Sequence, residues 1–259
     1  MEVREYTYYD ASTKGLNIKG MLNDLANAQP GSIVLLHTSA HNPTGVDPTP
    51  EEWHEIAKVM KENNLFPYFD TAYQGFASGD LEKDGYGMRY FVKEGFQMVI
   101  AQSFAKTMGL YGERTGALHI VCTDKPTQEK VMSQLKILVR SAYSSPSIHG
   151  ARIAGKILVN PENRKQWLLE LQAVTDRMNQ MRTILKDAII KSGAKGNWDH
   201  VTKQIGMFSF TGLTPKQSEA MISKHHIYMT GNGRISIAGL NSTNVDYVAN
   251  AIKDVVENF

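Results

Sequence analysis

The stretch SIVLLHTSAHNPTGVDPTPEEWHEIAKVM, residues 32–60, decides the fold. Its opening, Ser32–His37, is a short apolar run of the kind buried in a parallel sheet. A polar loop rich in Pro, Gly and Asn follows. Then comes a helix start: Thr49 can cap it, Pro50 takes the first helical position, and Glu52 completes a capping box. Trp53, Ile56, Ala57 and Met60 recur on one face of that helix. A strand, a polar loop and an amphipathic helix in that order make a β–α unit.

The alternation extends in both directions. Upstream, Val3–Tyr9 reads as a strand ending at the turn residue Asp10, as if the chain began inside a domain. Ile18, Met21, Leu22 and Leu25 then mark a helix that Pro30-Gly31 breaks. Downstream, Leu65–Asp70 reads as a strand, against which Pro67 counts if the strand is central. Gly75, Gly79, Gly85 and Gly87 mark a long irregular stretch, and Gln97–Ser103 and Ala117–Thr123 read as further strands. A helix after Pro126 ends near Arg140, and SAYSSPSIHGAR reads as a loop. A long helix follows over about 162–190, with Trp167, Leu171, Val174, Met178, Met181, Leu185 and Ala188 on its apolar face. GMFSF (206–210) and RISIAG (234–239) read as strands around a helical stretch near 216–224, and a last helix covers 245–256. The expected class is α/β: a partial large domain with a mostly parallel sheet flanked by helices, a long connecting helix, and a smaller C-terminal α+β domain. The large domain is expected to be residues 1–172 and the small one 173–259.

Composition narrows the function. A net charge of +2 gives no electrostatic case for nucleic acid. No apolar run approaches the length that crosses a bilayer. A single cysteine, Cys122, excludes an intramolecular disulfide and fits a reducing, intracellular compartment. The N-terminal MEVREYTYYD has neither signal nor transit character.

In parallel sheets ligands gather at the carboxyl ends of strands. Polar residues sit at three such ends: His37–Asn42, Asp70–Tyr73 and Ser103–Lys106. The third belongs to AQSFAKTMGLYGERTGAL, residues 101–118. There Lys106 stands between Ser103 and Arg114 in a segment that turns at Gly109 and Gly112. A lysine can form an imine with an aldehyde, and a hydroxyl with a guanidinium can grip a phosphate. Each residue also has a plainer reading. A lysine is commonly a surface charge, Asp70 can cap a helix, Asn42-Pro43-Thr44-Gly45 can be a turn, and Arg140 and Arg234 can be rim charges. His37, His41, His119 and His149 lack metal-ligand spacing, so no metal site is expected.

AHNPTGVDPTPEEW, FDTAYQGFASGD, QSFAKTMGLYGERTGA, SQLKILVRSAYSSP, HGARI, QIGMFSFTGL and YMTGNGRISIAGL resemble, in order, the aspartate aminotransferases, pyridoxal-phosphate enzymes of fold type I. The wording is similar to eukaryotic members, the animal mitochondrial form in particular. The resemblance implies a role for each matching residue. Lys106 carries pyridoxal 5'-phosphate and moves the proton. Asp70 pairs with the ring nitrogen, and Tyr73 and Asn42 hydrogen-bond the ring oxygen. Ser103 and Arg114 hold the phosphate. Arg234 binds the α-carboxylate of the substrate, with Asn42 beside it. Arg140 binds the side-chain carboxylate, reaching into the partner's site of a homodimer. About the N-terminal third of a family member has no counterpart here, including a second phosphate loop and an aromatic stacked on the ring. Ser145 stands where the family has an asparagine.

The function expected on this resemblance is transamination between L-aspartate and 2-oxoglutarate, giving oxaloacetate and L-glutamate, in the mitochondrial matrix or cytoplasm. One alternative is an impaired product that binds cofactor weakly or acts only as a dimer partner. Another is a Schiff-base lyase or aldolase using Lys106, against which Asp70 beside Tyr73 and two further arginines argue.

Overall fold

The computed structural model describes residues 2–259. The chain enters through a short hairpin, β1 (Tyr9–Asp10) antiparallel to β2 (Gly15–Leu16). Strand structure does not reach back to Val3 as the sequence suggested. The two tyrosines there are spent otherwise: Tyr6 and Tyr8 donate their hydroxyls to the Leu35 and Val46 carbonyls, both at 2.7 Å. The segment is tied down by side chains and not by a ladder. Helix α1 (Ile18–Ala26) follows, capped by the Asn17 side chain.

Four strands form the frame: β3 (Ile33–His37), β4 (Phe66–Thr71), β5 (Met98–Ser103) and β6 (Gly116–Val121), in that spatial order. The first two pairings are parallel and the last antiparallel. β3 is an edge strand. Val34 and Leu36 point into the core, but Ile33 and Leu35 are 54% and 48% exposed, so the run is half-buried and not enclosed on both faces. Pro67 is tolerated in β4 because of where the ladder begins. The Phe66 amide donates to Ser32 on the β3 side, so the ring nitrogen of Pro67 faces β5, whose pairing starts only at Tyr68.

Helix α2 (Pro50–Glu62) starts as its sequence dictates, with Thr49 and Glu52 exchanging both capping-box bonds. Trp53, Ile56, Ala57 and Met60 are all buried against the sheet core of Met21, Leu25, Phe69, Phe91 and Met98. The glycine-marked stretch proves partly helical, with α3 (Leu81–Asp84) and α4 (Tyr86–Lys93). Asp80 caps α3, and Gly87 lies inside α4 where an added Cβ would come within 2.6 Å of the Trp53 ring. That glycine serves close packing, not a loop.

Beyond β6, α5 (Lys125–Tyr143) has no buried residue. α6 (His149–Val159) begins within the segment read as a loop, with Gly150 packed on Glu113 and Thr115. α7 (Pro161–Ser192) spans 32 residues to a left-handed cap at Gly193. α8 (His200–Lys203), β7 (Phe208–Phe210), α9 (Pro215–Ser223), β8 (Arg234–Ser236) and α10 (Val245–Asn258) complete the chain. β7 and β8 pair antiparallel. The buried face of α7 is the one read from its apolar residues, Val174 excepted, with two polar residues added. Val174 is 45% exposed, while Thr175 and Arg182 are buried. Met178, Met181, Leu185 and Ile189 join the α7 face to a second core with α10.

Candidate active site

The register of the sheet brings the polar strand ends together. His37 of β3 lies opposite Asp70 of β4, and Asp70 opposite Ala101 of β5. Lys106 follows one turn after Ser103 ends β5. The turn is closed by Met108 donating to the Phe104 carbonyl and Gly109 to that of Lys106. Ser103 accepts the Ala105 amide at 3.2 Å, which leaves its own hydroxyl proton free for a ligand.

A row of contacts then runs from Lys106 to the loop after β3. The Lys106 ammonium lies 5.3 Å from the centre of the Tyr73 ring. Tyr73 meets Phe208 edge-on at 5.9 Å. Arg234 lies over the other ring position of this row, with its guanidinium carbon 4.3 Å from the Phe208 centroid. Arg234 also donates to the Asn42 side-chain oxygen at 2.6 Å. That bond uses the amide oxygen of Asn42 and leaves its NH₂ to donate elsewhere. Lys106, Tyr73, Asn42 and Arg234 are therefore neighbours, although residues 42 and 234 are far apart in sequence.

Burial raises the Tyr73 pKa, Arg234 opposes that shift, and Asp70 and Tyr111 add to it. The phenol stays protonated at neutral pH and can donate to an anionic oxygen. Burial lowers the His37 pKa, with Asp70 pulling the other way. The His37 Nδ1 accepts the Asn42 amide at 3.4 Å, so a neutral His37 carries its proton on Nε2. His41, pushed down to about 3 by burial and then by His37, packs between His37 and Tyr8. The two histidines form an aromatic column beside Asp70.

Two residues stand apart. Arg114 is exposed, in a left-handed backbone conformation (φ 51°), and gives one N–H to the Tyr111 carbonyl at 3.1 Å. Arg140 lies on exposed α5, where it donates to Ser144 at 2.7 Å. Among the described residues nothing connects it to Lys106 or Arg234. A cavity of about 280 Å³ between Thr38, Asp47, Trp53 and Asp84 is separate too, lined by none of Lys106, Tyr73, Asn42 or Arg234. Sequence reasoning missed Phe208, which supports Arg234 from β7, a strand read without a role for its side chains. It placed His37 among the polar strand-end residues and rejected it as a metal ligand, without giving it a role beside Asp70.

The donor set fits a phosphorylated aldehyde with an aromatic ring. Lys106 has no hydrogen-bond partner among the described residues, Tyr73 and Asn42 offer donors beside it, and Ser103 has a free hydroxyl proton. This is a lysine-centred site at the carboxyl edge of an α/β sheet, with an arginine held at its far end by Phe208 and Asn42. The chain belongs to the class I and II aminotransferases, the family whose pattern matches residues 1–252.

Among its relatives, aspartate aminotransferase 3 of the Arabidopsis thaliana chloroplast is 53% identical over 99% of this chain and 57% of its own length. The mitochondrial aspartate aminotransferase of Gallus gallus is 50% identical over 99% of this chain and 61% of its own. The chain thus spans only about three fifths of the curated relatives it matches. The cytoplasmic aspartate aminotransferase of Saccharomyces cerevisiae superimposes with a TM-score of 0.98 at 44% identity, over 100% of this chain and 65% of that one. An aromatic-amino-acid aminotransferase of Burkholderia pseudomallei, solved covalently bound to pyridoxal phosphate, gives 0.96 at 41% identity, over 99% and 64%.

Proposed function

We propose that this chain carries the catalytic lysine half of an aspartate aminotransferase, moving an amino group between L-aspartate and 2-oxoglutarate. The observation that carries the reading is the unbroken row of contacts from Lys106 through Tyr73 and Phe208 to Arg234 and Asn42.

Pyridoxal phosphate, when bound, supplies a ring that takes up the charge left on the substrate α-carbon. The residues of this chain do the rest. Arg234 holds the α-carboxylate with two parallel N–H donors, its angle fixed by Phe208 below and Asn42 beside it. Lys106 would hold the cofactor through its Nζ and, once the substrate amino group has displaced it there, the freed amine would take the proton from the α-carbon and return it. Tyr73 and the Asn42 NH₂ would donate to the ring oxygen. Asp70, with His37 opposite it on β3, would hold the proton on the ring nitrogen. Ser103 and Arg114 would bind the phosphate. Arg140 takes the side-chain carboxylate of a substrate in the partner's site, which makes the working unit a homodimer. The division into residues 1–172 and 173–259 forms part of this reading. The separate core of residues 21–98 supports it, while Ala40, Tyr73, Phe76 and Leu171 cross the boundary to pack in the second core.

The test is chemical. Pyridoxal phosphate added to the chain should give an absorption band that L-aspartate discharges and L-alanine does not. Borohydride added before any amino acid should fix the cofactor on Lys106, and K106A should abolish the fixation. Trapping of a sugar phosphate on Lys106 without pyridoxal phosphate would favour a lyase and sink this reading.

A further inference from the structure

The turn that presents Lys106 is closed almost wholly from within its own segment. Phe104 donates to Thr115, Met108 to Phe104, Gly109 to Lys106, and Ala105 to Ser103. The exception is the Thr107 carbonyl. It accepts the indole N–H of Trp167, from α7, at 2.8 Å. Among the described residues this is the one side-chain donor that reaches the turn from another element.

Trp167 does not act alone on its helix. Trp167, Leu171 and Thr175 are spaced by four and therefore share a face. Leu171 packs on Gly75, where an added Cβ would lie 2.4 Å from its Cδ2. Thr175 donates to the Gly75 carbonyl at 2.9 Å. Gly75 closes the loop that carries Tyr73. One helix face therefore spaces the Lys106 turn from the Tyr73 loop. Further along, Arg182 of the same helix donates to the Phe208 carbonyl, under the ring that supports Arg234.

We propose that Trp167 is a positioning residue for Lys106, fixing the lysine turn through the Thr107 carbonyl. The lysine side chain is long and has no hydrogen-bond partner among the described residues, so its reach is set by where its backbone is held. A displacement of about 1 Å in a reacting group is enough to slow a reaction severely. The proposal rests on the reading of Lys106 as the cofactor-bearing lysine, and its test separates the two.

W167F keeps the ring and removes the donor. Without cofactor, amide exchange across residues 104–109 should rise about fivefold, the factor set by one lost hydrogen bond. Exchange along α7 should stay unchanged. With cofactor, kcat should fall about tenfold while KM for aspartate holds, because the substrate grip does not involve Trp167. L171A, which loosens the same face and spares the bond, should not reproduce the exchange pattern. A second measurement needs no variant. The Trp167 indole N–H resonance of the unaltered chain should shift when borohydride fixes pyridoxal phosphate on Lys106. Unchanged exchange at 104–109, exchange raised along the whole of α7, or an indole signal indifferent to loading would each overturn the proposal. Failure of the unaltered chain to take cofactor on Lys106 would instead overturn the function, leaving the exchange result to judge the bond itself.

Discussion

Arg182 is 1% exposed and has no carboxylate partner. Its guanidinium donates instead to the carbonyls of Val201 and Gly206, at 2.9 and 3.0 Å, and to that of Phe208. Burial lowers its pKa to about 10, which still leaves it charged at neutral pH. Three carbonyl dipoles do the work of a counter-ion. R182M keeps the volume of the stem but strands those acceptors, so it should cost about 3 kcal/mol or more, read from the urea midpoint. A loss under about 1 kcal/mol would mean that water replaces the guanidinium. At this scale the sequence was uneven. Lys106 and Asp70 sat at strand ends where their chemistry could be guessed. Arg182 sat inside a helix with nothing in the local sequence to single it out. Its importance depends on β7 folding back onto α7, which no local pattern encodes. The Arg234–Asn42 bond was hidden for the same reason.

Elements were most legible where the signal is local. The capping box of α2 is one case, and Thr49 and Glu52 make both of its bonds. T49A should destabilise the chain by about 1 kcal/mol with no change in cofactor uptake, measured by denaturant titration alongside the absorption band. α9 carries a second box, Thr214 with Gln217, which was equally local in the sequence although it went unread. Legibility failed where tertiary neighbours decide. Ile33 and Leu35 look like core residues, yet they lie on the open face of an edge strand. A dye that fluoresces on apolar surfaces should bind the folded chain, and I33T with L35T should reduce that binding while leaving the urea midpoint within about 0.5 kcal/mol. Equal dye binding by the double variant would put the apolar surface elsewhere, with exposed α5 the next place to look.

At the scale of the whole molecule, the entry hairpin is locked to the C-terminal part through His200. Its Nε2 donates to the Thr211 carbonyl at 3.0 Å, which leaves Nδ1 as an acceptor for the Lys14 ammonium at 3.4 Å. Protonating this ring would set two positive charges face to face. Burial first, and Lys14 second, lower its pKa from 6.5 to about 4. A base whose folded pKa is depressed contributes stability that is present above its unfolded value and lost as pH falls through the folded one. His200 therefore withdraws support between pH 6.5 and about 4, and His41 does the same down to about 3. Asp47 acts in the opposite sense. It is raised from 3.8 to about 6, so its contribution is complete below 3.8 and fades as pH rises through 6. Burial lowers His37 as well and raises Asp84 as well, so three histidines stand against two carboxylates, and stability should fall on acidification from pH 6.5 to 4. In H200Q the amide can keep the bond to Thr211 without titrating. Its stability should be flatter over that window by up to about 1.4 kcal/mol per pH unit, the limit for one proton. Parallel pH profiles for the two proteins would mean that the folded chain opens around His200 as the ring charges, so that neither burial nor Lys14 holds its pKa down.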